Sequence, residues 1–101
     1  MASRLELQSE FEELLRNRNV YFQPPASVKM KYPAIRYSLK DFDVKHANNS
    51  SYLRKPCYEA ILIDPNPDSE FVELILNLPN CSFDRHYKAD NLNHFVFTIY
   101  H

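Results

Sequence analysis

The 101-residue chain contains no glycine and no tryptophan, and only two cysteines. The missing glycine excludes most. Phosphate-cradling loops, dinucleotide fingerprints and nucleophile elbows all place glycine where backbone meets ligand or turns sharply. None of these can be present. Nine asparagines are the expected substitutes at positive-φ positions, because asparagine tolerates left-handed geometry better than other side chains. Cys57 and Cys81 have neither metal spacing nor a Cys-x-x-Cys motif, so they read as free, buried thiols. No apolar run approaches the ~20 residues that span a bilayer, and no membrane partner is expected. The first residues, MASRLELQSEFEELL, are acidic and amphipathic without the apolar centre of a secretion signal. Retention in a cytoplasm is expected, which leaves the sequons at Asn48, Asn49 and Asn80 unused.

What remains has the composition of one globular domain over residues 1–101, 45% apolar and 25% charged. Ser3 and Glu6 form a capping box. Leu7, Phe11, Leu14 and Leu15 then recur at helical spacing, with acids early and Arg16 and Arg18 late. A helix from Arg4 to Asn17 is predicted. Residues 20–22, VYF, read as a short strand closed by Pro24 and Pro25. A second helix is signalled by DPNPDSE at 64–70, with Asn66 or Asp68 as its cap and Pro79 beyond its end. Phe71, Val72, Ile75, Leu76 and Leu78 give it an apolar face.

The other segments carry the period of strands. Ile35, Tyr37 and Leu39 alternate with Arg36, Ser38 and Lys40, and the alternation continues through Phe42 and Val44. Residues 57–63, CYEAILI, are apolar on both faces apart from Glu59, as in a central strand. Residues 81–87 form a further candidate. Near the end, Phe95, Phe97 and Ile99 share one face, and His94, Val96, Thr98 and Tyr100 share the other. Asp90 and Asn91 supply a turn, so 83–87 and 94–100 are expected to pair as a hairpin. The order α-β-β-β-α-β-β predicts an α+β domain, an antiparallel sheet of four to five strands carrying two helices.

Chemistry-bearing residues are few. His94 with Asp90, or His86 with Asp84, has the composition of an oriented base, and His86 and His94 with Asp84 or Asp90 have that of a metal site. No serine or cysteine sits in an activating context, and the spacing matches no metal pattern. Polar-face strand positions explain the histidines, so neither an enzyme nor a cofactor is expected.

Charge is distributed in blocks. Residues 29–55 carry Lys29, Lys31, Arg36, Lys40, Lys45, Arg54 and Lys55 against Asp41 and Asp43, a balance of +5. Residues 56–101 carry a balance of −5. The split suits head-to-tail self-association, in which the basic segment of one copy meets the acidic half of the next. The stretch KDFDVKHANNSSYLRKP, 40–56, reads as a projecting hairpin arm or long loop with apolar flanks. Candidate interface residues are therefore Lys40, Phe42, Lys45, Tyr52, Arg54 and Lys55 on the basic side, and Asp68, Glu70 and Glu73 on the acidic side. A rival reading is a nucleic-acid-binding module using Lys29, Lys31, Arg36, Lys40, Tyr32 and Tyr37. Against it stands pI ≈ 6.4, far from a strongly basic profile.

Taken together, "NVYFQPP", "YPAIRYS", "DPNPDSE" and "SFDRHYKADNLNHFVFTIY" resemble the tail terminators, small tail-completion proteins of long-tailed bacteriophages. The resemblance spans nearly the whole chain and rests on the order and texture of its elements. It implies an α+β subunit that forms a ring of about six copies on the head-proximal end of the tail tube. Such a ring stops tube polymerisation and presents the surface that joins the head. The implied partners are further copies of the chain, the tail tube protein and a head–tail connector. DNA passes through the lumen without specific recognition. The implied location is the virion tail, after assembly in the host cytoplasm. The resemblance implies no catalytic residue and no cofactor. Other neck components, a head–tail adaptor or minor capsid protein, fit the same features.

Overall fold

A computed structural model describes residues 4–16, 19–24, 29–47 and 50–101, with the side chains of 41–47 and 50–55 outside the description. Helix α1 runs Arg4–Leu15 and buries Leu7, Phe11 and Leu15, the predicted stripe, with Leu14 packed partly buried against them. It stops short of the predicted Asn17 because Arg16 turns to φ 60° and its amide reaches back to the Glu13 carbonyl at 3.2 Å. That left-handed stop is the usual place of a glycine. Ser3, the predicted cap, lies outside the described residues.

The strands are β1 (Val20–Phe22), β2 (Ala34–Ala47), β3 (Ser50–Asp64), β4 (Cys81–Ala89) and β5 (Leu92–Tyr100), with α2 (Phe71–Leu76) between β3 and β4. They form one five-stranded sheet in the order β1-β2-β3-β5-β4. The α+β class and the element order agree with the sequence reading. One pairing differs: β1 lies parallel to β2, Val20 opposite Ile35 and Phe22 opposite Tyr37, while all other pairs are antiparallel. The sheet is therefore mixed. Residues 23–33 are a stretch long enough to return the chain to the other end of β1, which a tight turn could not do.

Both helices lie on one face of the sheet. Leu7, Phe11 and Leu15 of α1 and Ile75 of α2 share a core with Ile35, Tyr37, Tyr58, Ala60, Leu62, Phe95, Phe97 and Ile99. Each large side chain fully buried there stabilises the fold by about 1.5–3 kcal/mol. Central β3 is apolar on both sides, as its composition requires. On its second face Ile61 and Ile63 pack with Val96, covered by Met30 and Leu92 rather than by a helix. Of the predicted alternation in β2, Ile35 and Tyr37 are buried but Leu39 is 39% exposed. The ladder slips between Leu39 and Asp41, and at that level the strand is leaving the body of the sheet.

Helix α2 begins later and differently than predicted. Glu70 is its N-cap, and neither Asn66 nor Asp68 caps it. The preceding polar residues build two turns instead: the Asn66 amide donates to Asp64 Oδ1 and the Asp68 amide donates to Asn66 Oδ1, each at 2.9 Å. Short polar side chains bind backbone two residues on as readily as they cap helices. The helix is so short that only Ile75 is fully buried; Phe71, Val72 and Leu78 are partly buried and Leu76 is exposed.

The predicted hairpin forms, with β4 pairing along β5 from Cys81 opposite Ile99 to Ala89 opposite Leu92. Asp90 (φ 53°) and Asn91 (φ 63°) turn it, the two positive dihedrals of the hairpin turn that matches strand twist. The other described positive-φ residues are Arg16, Gln23 and Asn80. Asparagine thus takes only part of the role foreseen for it.

Candidate functional site

The sheet does not keep its width along its length. β1 accompanies β2 only from Ile35 to Tyr37, and β5 accompanies β3 only from Cys57 to Asp64. β2 and β3 nevertheless go on pairing to Ala47 opposite Ser50. Residues 41–47 and 50–56 therefore form a two-stranded ribbon that has left the sheet, about 24 Å long at strand rise. This is the predicted arm, a hairpin rather than a loop. Phe42, Lys45, Tyr52, Arg54 and Lys55 all occupy it, and their side chains lie outside the described residues. Lys40 stands at its root and is exposed. In the ladder Asp43 is opposite Lys55 and Val44 is opposite Arg54.

The acidic candidates lie far from these. Strand β3 carries the chain from the arm to Asp64, and the loop holding Asp68 and Glu70 follows directly. On β3, Arg54 and Lys55 precede Asp64 by ten and nine residues, about 30–34 Å at strand rise, within a molecule 49 Å in its longest extent. Asp68, Glu70 and Glu73 are all exposed. Arg54 and Lys55 are thus separated from Asp68 and Glu70 by the paired body of the sheet, too far to meet them within one copy.

The histidine candidates separate too. His86 faces Phe95 in the ladder and His94 faces Tyr87, which puts the two imidazoles on opposite faces of the sheet. His86 Nε2 is 3.0 Å from Asn93 Oδ1, and His94 Nδ1 is 3.1 Å from the Leu92 carbonyl. Asp84 pairs with Arg85 at 2.8 Å instead of with His86. No group of three or more His, Cys, Asp or Glu able to hold a metal occurs among the described residues.

Of the residues assigned to the nucleic-acid reading, Tyr37 is displaced: it is 1% exposed in the helical core. Its hydroxyl donates to Gln8 Oε1 and accepts from Arg4 Nη1 at 3.3 Å. Burial pushes its pKa above the ordinary value, opposed in part by Arg4. Tyr32, Lys29, Lys31, Arg36 and Lys40 are exposed.

A surface that the sequence reading did not assemble lies on the helix-free face. One cross-strand row there reads Tyr21, Arg36, Ile61, Val96, Arg85 from β1 to β4. The neighbouring row ends in His94 and Tyr87, whose rings stack with centroids 4.7 Å apart and 12° between planes. The Arg85 guanidinium carbon lies 6.0 Å from the Tyr87 centroid. Met30 packs on Ile61, Ile63 and Val96, so the loop lays Lys29 and Lys31 along the same face; the Lys31 amide donates to the Tyr21 hydroxyl at 3.3 Å. The ladder slip between Phe83 and Arg85 puts Arg85 and Tyr87 on this face. Nothing in the period of the sequence announces that slip. No protein-family model, curated protein or solved structure matches the chain.

Proposed function

We propose that the chain is a structural assembly subunit, a tail-terminator-like protein that closes into a ring of about six copies and caps the head-proximal end of a tail tube. The observation that carries this reading is the β2–β3 arm. A two-stranded ribbon alone is marginal in water, and one as long as this gains stability by lying on a neighbour. Its basic candidates Lys45, Arg54 and Lys55 occupy the arm, while Asp68 and Glu70 follow the other end of β3. A contact between these ends is heterologous, repeats from copy to copy and closes when the rotation permits. The work is then done by surfaces, without turnover or cofactor. Tail tube protein on one side of the ring and a head–tail connector on the other complete the reading, with DNA passing through the lumen and the particle's tail as its location. These partners rest on the sequence resemblance; another neck component would use the same arm.

Native mass spectrometry over a range of concentrations, with negative-stain images of the same sample, tests this. A closed oligomer with a central hole is expected. A monomer at every concentration that also fails to bind tail tubes would overturn it.

A further inference from the structure

The charges of this chain are divided by the sheet as well as along its length. The helical layer carries Glu6, Glu10, Glu12 and Glu13 on α1 and Glu73 on α2, with Asp68 and Glu70 in the loop before α2, against Arg4 on α1 and Arg16 at its end. The helix-free face carries Lys29, Lys31, Arg36 and Arg85, against Glu59, which is half-buried in the next row. Asp84 at the bulge holds Arg85 from beside the strand, with the arginine side chain still 54% exposed. Near-neutral net charge therefore conceals a basic face backed by an acidic one. A potential of one sign over a surface recruits ligands of the opposite sign whatever the total.

Ring chemistry decides what kind of anion suits that face. Tyr87 is 38% exposed, lies flat on the partly buried His94 imidazole, and has the Arg85 guanidinium only loosely above it, at the outer limit of a cation–π contact. A planar aromatic supported from beneath is a stacking platform for a base, and every base has a π-face. Arg36 and Arg85 share one cross-strand row with β3 and β5 between them, about 14 Å apart at strand spacing. Two guanidiniums so placed fit successive points on a phosphate backbone that crosses the strands. The row between them, Ile61 and Val96, is apolar and buried. An acidic protein segment would satisfy the arginines but leave the Tyr87–His94 stack without purpose. A duplex would offer phosphates but no free base face.

We infer that the helix-free face is a binding surface for single-stranded nucleic acid, with Tyr87 on His94 stacking a base and Arg36, Arg85 and the lysines of the 29–31 loop holding phosphates. The inference is independent of ring formation, since the arm and the acidic end take no part in it.

Fluorescence anisotropy of a labelled oligothymidylate strand, titrated with the full chain at low and at high salt, is the test. Binding that weakens linearly in log–log with salt is expected. Arg36→Glu with Arg85→Glu should abolish it, and Tyr87→Ala should weaken it about 5- to 150-fold, the range of one lost base stack. Glu10→Lys on the helical layer should leave the salt-dependent slope unchanged. Circular dichroism and melting temperature check that each variant is folded. An unfolded Tyr87→Ala is replaced by Tyr87→Leu, which keeps the bulk and removes the π-face. Failure of the wild-type chain to bind at low salt overturns the inference. So does equal affinity for duplex and single strand, or full binding by folded Tyr87 variants, since each leaves only non-specific phosphate attraction. Protection of Tyr87 by self-association, seen as loss of binding when the chain oligomerises, overturns it in favour of a protein interface.

Discussion

Phe97 of β5 and Phe83 of β4 meet edge to face, their ring centroids 5.7 Å apart with 71° between planes. One ring is wholly buried and the other is 45% exposed. The contact joins the core to an edge strand with no strand beyond it in the sheet. It also ranks the two residues. Phe97→Ala opens a cavity under both helices and should cost about 3–5 kcal/mol. Phe83→Ala removes a half-solvated ring and should cost about 1 kcal/mol. Truncation before His94 takes Phe95, Phe97 and Ile99 from the core and should leave no cooperative melting transition. Chemical denaturation of the three variants checks the order; a truncated chain that melts like the parent contradicts the burial of β5.

Arg16 is where the lack of glycine has a measurable cost. Its φ of 60° ends α1, a conformation that costs a residue with a Cβ roughly 1–2 kcal/mol. The side chain is exposed. Arg16→Gly should therefore raise stability by up to about 1 kcal/mol, less than the full amount because glycine also gains freedom in the unfolded chain. A melting temperature that falls would mean that the arginine side chain contributes more there than its backbone costs.

Those two cases also bound what the sequence discloses. Phe95, Phe97 and Ile99 alternate without interruption, and period alone places them in the core. The same holds for Leu7, Phe11 and Leu15 on α1, and for the doubly apolar β3. Legibility fails wherever a local event resets the pattern. The slip after Phe83 changes the faces of Arg85, His86 and Tyr87, so the helix-free surface could not be assembled by counting. The direction of β1 depends on the path of residues 23–33, which has no periodic signature. Asn66 and Asp68 have the chemistry of caps, yet they serve turns, because both uses draw on the same hydrogen bond. The arm was visible as a polar-tipped run between β-periodic segments, but its separation from the sheet follows from the lengths of β1 and β5, not from its own residues.

Alkaline pH should titrate two shielded acids, the buried Tyr37 and the partly buried Cys81. Burial pushes the Cys81 thiol from the ordinary 9.0 up to about 11, and it also raises Tyr37 above 10.0. Each group holds its proton more tightly in the folded chain than in the unfolded one. The stability each contributes is complete below its unfolded value and is lost as pH rises through its folded value. The loss begins near pH 9 for Cys81 and near pH 10 for Tyr37. Melting temperature should be level below that window and fall within it, and Cys81→Ala should remove the earlier part of the fall. The thiolate is the nucleophile, so alkylation of Cys81 at about pH 8 should be slower than that of a free cysteine. Alkylation at the free rate would mean that the thiol is not desolvated in solution.

The arm allows the ring reading to be tested by exchange of charge. Arg54→Glu with Lys55→Glu reverses the basic end, and Asp68→Lys with Glu70→Lys reverses the acidic end. None of the four is a member of the core found among the described residues. The first pair puts Glu at 55 opposite Asp43 in the ladder, a like-charge pairing that costs about 0.2–1 kcal/mol within the ribbon. Melting temperature should therefore change little in either variant. Each alone should fail to assemble, because every junction then sets like charges together. Mixed together they have two kinds of junction. In an alternating ring the reversed arm of one variant meets the reversed loop of the other, and the unreversed basic arm of the second meets the unreversed acidic loop of the first, so both kinds of junction are attractive. The mixture should therefore assemble where neither variant does alone, into rings with an even number of copies. The chain bearing all four reversals restores every junction and should assemble. Assembly by either single-end variant would show that charge does not set the contact. Failure of the fourfold variant, folded and at a concentration where the parent assembles, would remove Arg54, Lys55, Asp68 and Glu70 as the paired ends.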